Sequence, residues 1–513
     1  MKAPSIILKT DQKPFGSASH IFDCLLRFRM TTLSTMRPAQ NLSKSALGEL
    51  RPMGLHFSQD VDSERMNLLL EDVFEEAPDP ERLLQAFRLG LLSPEDDLVA
   101  GACVETCADG SAYIWLMAVR QSDRRKEIEK IFLRVIGDWG RSQNLRSIRL
   151  KTSARWAEIR SLLLENHWAM TAAELSPQTN EIEEIWQIPL LPSPLGVVVI
   201  GASPNGRGSE WISNIRSCPE WWRLEAVVDP DPRTREYWEN LQIPAVSEIA
   251  EIMSEQVDAA VVAVPPRFAV PVQRICFERG WAVLVEKPLA ASLDELLEFQ
   301  DDLRHGSPSL IVGVQRRSHP SYVALKAFLH GYDVRSLSIA ISLGKPPHDS
   351  PDGHRADPRQ CRGGSLLDLG YHALDLAHFL IEKPIDMVAC SLTKDCDLSS
   401  DIDSGAEILG RAGNTWVRCQ VDRHGKKGEE VCAETIDGVW VANREGVTSP
   451  DEAVAYACTG SWAMAERGRL SALAAACLQP EPTTSDLWDH LALFETIERA
   501  YGLGSQIGLK GVS

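Results

Sequence analysis

The residues best suited to chemistry lie in GGSLLDLGYHALDLAHFL, positions 363–380, where Asp368, His372 and Asp375 interrupt an apolar run. Their spacing of i, i+4 and i+7 puts all three on one face of an α-helix, a turn apart. Such a face can hold and move a proton, because the ordinary pKa of histidine lies near neutrality and a carboxylate can orient the ring. A structural reading stands beside the chemical one. Gly363-Gly364-Ser365 is a good helix start, with Ser365 at the N-cap and Asp368 three residues on as in a capping box, so Asp368 could cap the helix and His372 could be a satisfied core histidine. Asp375 reads as a satisfied polar group or a substrate contact rather than a proton carrier. Gly370, unfavourable inside a helix, reads as room for a ligand or a neighbouring backbone.

A second constellation lies upstream. The strand GVVVIG ends in GASPNG, so Gly201, Ser203 and Gly206 hold the three places of G-x-G-x-x-G, with serine in place of the second glycine. Glycines there make a tight turn and let the backbone amides at the next helix N-terminus approach a pyrophosphate. The following strand, LEAVVD, ends in Asp229, whose carboxylate can accept from adenosine ribose hydroxyls and repel a 2′-phosphate, favouring NAD over NADP. Asp229 before Pro-Asp-Pro is also a plain turn starter.

The elements that must position these residues follow from periodicity. From 196 to about 315, short Val-rich runs (GVVVIG, LEAVVD, VDAAVVAVPP, WAVLVEKP, SLIVGVQ) alternate with helical patterns, which predicts a parallel sheet covered on both faces. From about 320, helices lead into alternating TWVRCQVD and GVWVANRE, which predict a largely antiparallel sheet, and ALFETIERAYGLG closes as a helix. LLPSPLG near 190–196 reads as a linker. Before it, residues 54–190 carry strands LVAGACVETC, SAYIWLMAV and LRSIRLKTS around the amphipathic helix EIEKIFLRVIGDWGRSQ. Residues 1–53 show no clear period and are expected to form a disordered or loosely attached extension.

At 513 residues the chain is too long for one core. Its 44% hydrophobic and 24% charged content is that of a soluble globular protein, and the net charge of −19 argues against a general nucleic-acid binder. No apolar run reaches the length of a membrane span. The twelve cysteines form no CxxC pair or Cys/His cluster; Cys103 and Cys107 lack further metal-ligand partners, so no metal site is expected, and free thiols in a reducing cytoplasm are.

The order of motifs resembles the Gfo/Idh/MocA family of oxidoreductases. It is carried by Glu286-Lys287-Pro288 in VLVEKPLA, after VPP at 264–266 and before VGVQRRSHPSY, and by ADPRQCRGGSLLDLGYHALDLAHFL, with its glycine pair and Asp-x-x-x-His. The resemblance covers about 194–513. It implies a Rossmann NAD(P)-binding domain at 194–318 and an α+β substrate and oligomerisation domain with an open sheet at 319–513. It also implies hydride transfer between a nicotinamide and a sugar, polyol or related small molecule. By the same resemblance Lys287, Asp368 and His372 are catalytic, with His372 as acid/base and Lys287 stabilising the substrate oxygen. Val264, Pro265, Glu286, Lys287 and Gln315 join Gly201, Ser203, Gly206 and Asp229 around the cofactor, and a homo-oligomer through the C-terminal sheet is implied. Departures are Arg267 and Phe268, where the family often has His or Asn, and His354, where many relatives carry Trp. The alternatives are a non-enzymatic dinucleotide sensor or scaffold, or a bifunctional acyltransferase and dehydrogenase.

Residues 54–190, through AYIWLMAVRQSDRRKEIEKIFLRVIGDWGRSQNLRSIRLKT, resemble the GNAT acyltransferase core, an α/β fold. Where that family places glycines to cradle acyl-CoA, this chain has Arg125, Glu127 and Glu129. Side chains would crowd the approach and two carboxylates would repel a pyrophosphate, so acyl-CoA binding is doubtful and a structural or partner role is expected.

Overall fold

The computed structural model describes residues 8–9, 50–73, 79–123, 126–253, 256–303, 308–345, 364–394, 402–458, 462–479 and 485–508. The chain forms two compact units, 1–192 and 193–513.

In the first unit the described elements run β1 (Leu8–Lys9), β2 (His56–Ser58), α1 (Ser63–Val73), α2 (Pro80–Gln85), β3 (Phe87–Leu92), β4 (Leu98–Thr106), β5 (Ser111–Val119), α3 (Lys126–Ser142), β6 (Ser147–Ser153), α4 (Ala157–Glu165), β7 (Ala169–Leu175) and β8 (Ile182–Pro189). The main sheet order is β2-β3-β4-β5-β6-β8-β7. Every residue of β5 is buried, as its unbroken apolar run requires of a strand covered on both faces. Met66, Leu69 and Leu70 of α1 join Cys103, Tyr113 and Trp115 in one core cluster. The β5–β6 pair is parallel and confined to Ser111–Ile114 against Ser147–Leu150. Beyond it, Leu116 and Met117 pair antiparallel with Lys9 and Leu8, so part of the N-terminal extension is a strand on this sheet. Glu129 is buried in α3, so its carboxylate does not face an incoming pyrophosphate in the way its sequence position implies. Arg125 and the side chain of Glu127 lie outside the described residues.

The second unit begins with β9 (Leu195–Ile200), α5 (Arg207–Arg216), β10 (Trp222–Val228), α6 (Pro232–Asn240), β11 (Ala245–Val246), β12 (Ala259–Val262), α7 (Pro266–Glu278), β13 (Ala282–Val285), α8 (Leu293–Leu303) and β14 (Leu310–Val312). These strands form a parallel sheet in the order β11-β10-β9-β12-β13-β14. The order reverses between β9 and β12, and in such a sheet the crevice beyond the C-terminal strand ends at that point is where ligands bind.

After a 3-10 turn (Gln315–Ser318) come α9 (Pro320–Leu329), β15 (Ser336–Ser342), a π-helical turn (Leu366–Gly370) and α10 (Tyr371–Ile381). Then follow β16 (Asp386–Thr393), β17 (Gly405–Ala412), β18 (Thr415–Asp422), β19 (Gly428–Thr435), β20 (Gly438–Asn443), β21 (Gly446–Thr448), β22 (Val454–Ala457), α11 (Trp462–Cys477) and α12 (Ser485–Gly508). The second sheet, β16-β17-β18-β15-β19-β20-β21-β22, is antiparallel except where β15 meets β18. Its strands alternate: Val417, Cys419 and Val421 of β18 are buried while Trp416, Arg418 and Gln420 are exposed. Helix α10 packs on β15 and β18, and α11 packs against β13, β14 and α5, which brings the helix carrying His372 and the ends of the parallel strands into one body.

Candidate active site

The glycine turn after β9 is built for close approach. Gly201 has φ +84, and a Cβ there would lie 2.6 Å from the Ala263 carbonyl oxygen. A Cβ at Gly208 would lie 2.0 Å from the Gly201 carbonyl oxygen, so Gly208 lets α5 press onto the turn. The sequence pattern assigned that third place to Gly206, whose added Cβ would meet only Ser203, at 3.3 Å; Gly206 instead stands at the N-cap of α5 in extended backbone. Ser203 is exposed and its carbonyl accepts from the Gly206 amide at 2.9 Å. Asp229 is buried at the end of β10, where one carboxylate oxygen accepts from the Ala202 amide at 2.9 Å and the other from the Asp231 amide at 3.0 Å. It therefore ties the second strand to the turn. Val264 packs beside Gly201, and Pro265 is the N-cap of α7. Arg267 stacks on the half-exposed ring of Phe268, 4.5 Å from its centroid.

Glu286, at the end of β13, is nearly buried and is a hub. It accepts from Arg207 Nε at 3.0 Å, Trp211 Nε1 at 2.8 Å and Gln315 Nε2 at 3.1 Å. Arg207, the first residue of α5, also pairs with Glu210 and with buried Glu466 of α11 at 2.7 Å, and Asn214 donates to Glu466 as well. The turn, the end of β13, the start of the 3-10 segment and α11 are thus held by one charged network. An Arg–carboxylate network this buried fixes orientation, since each charge is costly to leave unpaired.

Lys287, the next residue, precedes Pro288 through a cis peptide bond. Its Nζ donates to the Asp368 carbonyl at 2.7 Å and to Asp368 Oδ1 at 2.5 Å. The lysine side chain is 9% exposed and the aspartate 30%. Asp368 is therefore not consumed by a capping box. Ser365 has helical dihedrals and makes no cap, and the amides at the helix start are satisfied from the segment leading into β17: Asp403 accepts from Gly364 N at 3.0 Å and Leu366 N at 2.6 Å. Burial pushes the Asp403 carboxyl above its ordinary value. The room at Gly370 is taken by a side chain, since a Cβ there would lie 2.9 Å from Leu366 Cδ1, rather than by a ligand or backbone.

One helical turn beyond Asp368, His372 is 8% exposed, and its Nδ1 has no hydrogen-bond partner. Burial, then the positive charges of Lys287, Arg316, Arg207 and Arg444, hold its pKa well below the ordinary histidine value. A neutral imidazole with an unpartnered nitrogen can accept a proton, which a core histidine with both nitrogens bonded cannot. Asp375 lies deeper, 1% exposed, and accepts from Arg317 Nε at 2.8 Å; Arg317 in turn donates to Asp489 at 2.6 Å. It belongs to the packing of α10 on α12.

Beside this shelf Arg316 makes a bidentate pair with Glu429 of β19, at 2.9 and 2.7 Å. Tyr322 donates to the same carboxylate at 2.6 Å and Arg444 at 2.9 Å. Burial would raise the Glu429 pKa, but Arg316 above all pulls it down to about 2. Gly208, Arg316, Glu429, Arg444, Asp403 and Glu466 were not singled out by sequence. Only Gly208 had a local signal, a glycine two residues past the pattern; the others meet partners from 15 to 259 residues away. His354 lies outside the described residues. Among the described residues no group of His, Cys, Asp or Glu could hold a metal ion, and no helix is long and apolar enough to cross a membrane.

Residues 195–314 match the GFO_IDH_MocA family, described as an oxidoreductase family with an NAD-binding Rossmann fold, and 333–434 match the GFO/IDH/MocA C-terminal domain. Together with the curated relatives, these matches support a place in that family for this part of the chain. A putative UDP-kanosamine synthase oxidoreductase subunit of Amycolatopsis mediterranei is 28% identical over 187 residues, 36% of this chain and 51% of that protein. The inositol 2-dehydrogenase of Corynebacterium glutamicum is 29% identical over 157 residues, 30% of this chain and 46% of that protein. The chain spans about half the length of these curated relatives. The crystal structure of GenD2 from gentamicin A biosynthesis, in complex with NAD, superposes with a TM-score of 0.50 at 21% identity over 61% of this chain and 95% of that one, a likeness of fold.

Proposed function

We propose that residues 193–513 carry an NAD-dependent oxidoreductase that moves hydride between a nicotinamide and the carbinol carbon of a sugar, polyol or related small molecule. The observation that carries this is the buried His372, its Nδ1 unpartnered, one turn from the aspartate that grips Lys287 at the end of a strand of the parallel sheet. When bound, the dinucleotide supplies the hydride-accepting carbon. The turn fits such a group: backbone at Gly201 and Gly208 comes too close for any Cβ, and Asp229, buried at the end of the second strand, is the carboxylate read as meeting a ribose.

In the oxidising direction His372 takes the hydroxyl proton as the C–H bond is lost, and Lys287 Nζ donates to the oxygen as negative charge grows on it. Asp368 holds the ammonium in place. In reduction His372 returns the proton. Lys287→Ala and His372→Ala are each expected to lower turnover by roughly 10²–10⁴-fold. The check is NADH absorbance during incubation with sugar and polyol panels; undiminished activity in Lys287→Ala removes the assignment.

For residues 54–190 we infer a GNAT-like domain. Its strand order, with a parallel β5–β6 pair that stops after Ile114, supports this reading. Acetyl-CoA is expected to give no thermal shift, and a saturable one contradicts a purely structural role. Pairing of two copies through the C-terminal sheet is supported by its exposed Val388, Trp416 and Val439, and light scattering tests it.

A further inference from the structure

We propose that Arg444 is a specificity-determining residue, which selects substrates bearing an anionic oxygen group, a carboxylate or a phosphate, over neutral sugars and polyols. The inference rests on the oxidoreductase reading above and narrows its substrate class.

The guanidinium of Arg444 is held in place without being consumed. Its Nη2 donates to Glu429 Oε2 at 2.9 Å, and its Cζ lies over the Trp462 ring, 4.2 Å from the centroid. Among the described residues nothing else bonds it, so Nε, Nη1 and the second hydrogen of Nη2 keep their donor capacity, which leaves one parallel pair of N–H groups, on a side chain that is 49% exposed. A solvated arginine would spend rotamer entropy on capturing an anion; this one has that cost reduced by a hydrogen bond below and an aromatic face behind.

Its charge is not cancelled either. Glu429, 4% exposed, is already met by both arms of Arg316 and by the Tyr322 hydroxyl. Two guanidinium groups share one carboxylate, which leaves one positive charge over, and the outward arginine is the one placed to present it. A partly desolvated guanidinium fork matches carboxylate and phosphate oxygens with two parallel N–H donors.

The position is linked to Lys287 through a chain of covalent neighbours and side-chain bonds. Lys287 follows Glu286, Glu286 bonds Gln315, and the next residue, Arg316, pairs with Glu429, which bonds Arg444. The field of Arg444 also reaches His372 and helps to keep it neutral. By this proposal an anionic group on Arg444 and a hydroxyl at His372 belong to one molecule, as they would in a uronate, a sugar phosphate or a nucleotide sugar.

The test loads the protein with NADH, followed by its fluorescence, and then measures binding of D-glucuronate, glucose 6-phosphate and D-glucose by calorimetry. The expected result is that at least one anionic probe binds the loaded protein at least about tenfold tighter than D-glucose, as a built ionic hydrogen-bond site demands. In Arg444→Gln the preference falls to about unity, and Arg444→Lys restores part of it. Glucuronate and glucose 6-phosphate separate a carboxylate from a phosphate source. Equal binding of neutral and anionic probes, no binding of any anionic probe, or a preference that survives Arg444→Gln overturns the proposal. Failure to bind NADH or NADPH at all overturns the oxidoreductase reading instead.

Discussion

At the scale of single residues, the chemistry turns on which polar groups are spoken for. Asp368 and Asp375 share one helix face in the sequence, where Asp375 reads as a satisfied polar group or a substrate contact; in the structure Asp368 holds Lys287 and Asp375 is sealed against Arg317. His372 differs from an ordinary core histidine by its unpartnered Nδ1 and its lowered pKa. If it is the base for alcohol oxidation, kcat/KM keeps its plateau through neutral pH, and its acidic limb lies below pH 6.5. A pH–rate profile whose limb falls above pH 7 counts against that role. His319 gives a separate prediction, for stability. Burial, its largest cause, lowers its pKa to about 4, and its Nδ1 accepts from the Ser321 amide at the start of α9. The unfolded chain then takes up the proton first as pH falls. The contribution is present above about pH 6.5 and is lost as pH drops toward 4, by up to about 3 kcal/mol. Denaturant midpoints for wild type and His319→Gln at pH 7.5 and pH 5 are expected to show a shallower pH dependence in the variant.

At the scale of elements, the helix that carries His372 is started by Asp403, two residues before β17, rather than by its own sequence. Asp403 supplies the cap that Ser365 was expected to make, which frees Asp368 to face Lys287. The dinucleotide turn shows the same displacement of role, from Gly206 to Gly208. Gly208→Ala forces a methyl group to 2.0 Å from a carbonyl oxygen on rigid backbone, whereas Gly206→Ala meets Ser203 at 3.3 Å in a conformation alanine adopts freely. The first substitution is expected to cost about 2 kcal/mol or more and to weaken NADH binding. The second is expected to be mild. Thermal melts and NADH titrations of the two variants check the ranking.

At the scale of the whole molecule, the chain divides near residue 192 into two compact units. Every site residue named above, Lys287, Asp368, His372, Glu429 and Arg444 among them, lies in the second. A fragment of residues 193–513 is therefore expected to fold and to bind NADH with the affinity of the full chain, since domains carry their own cores. Circular dichroism and fluorescence titration of the fragment decide this, and loss of NADH binding in a folded fragment refutes it.

What the sequence determined by itself was whatever short-range physics encodes. Val-rich runs alternating with helical periods could only be a covered parallel sheet, polar/apolar alternation in TWVRCQVD marked a strand with one wet face, and i, i+4 spacing put Asp368 and His372 on one side of a helix. Lys287, Asp368 and His372 were singled out through motifs confined to a few consecutive residues, and the structure brings Lys287 and Asp368 into contact. Only the tertiary structure decided which carboxylate met which cation. Glu466, Glu429, Arg444 and Asp403 act across separations of 15 to 259 residues, from Glu429 to Arg444 and from Arg207 to Glu466, through side chains that any exposed Glu or Arg would share in sequence. The pairing of buried charges is set by where the packed elements bring them, and nothing local in the chain records that.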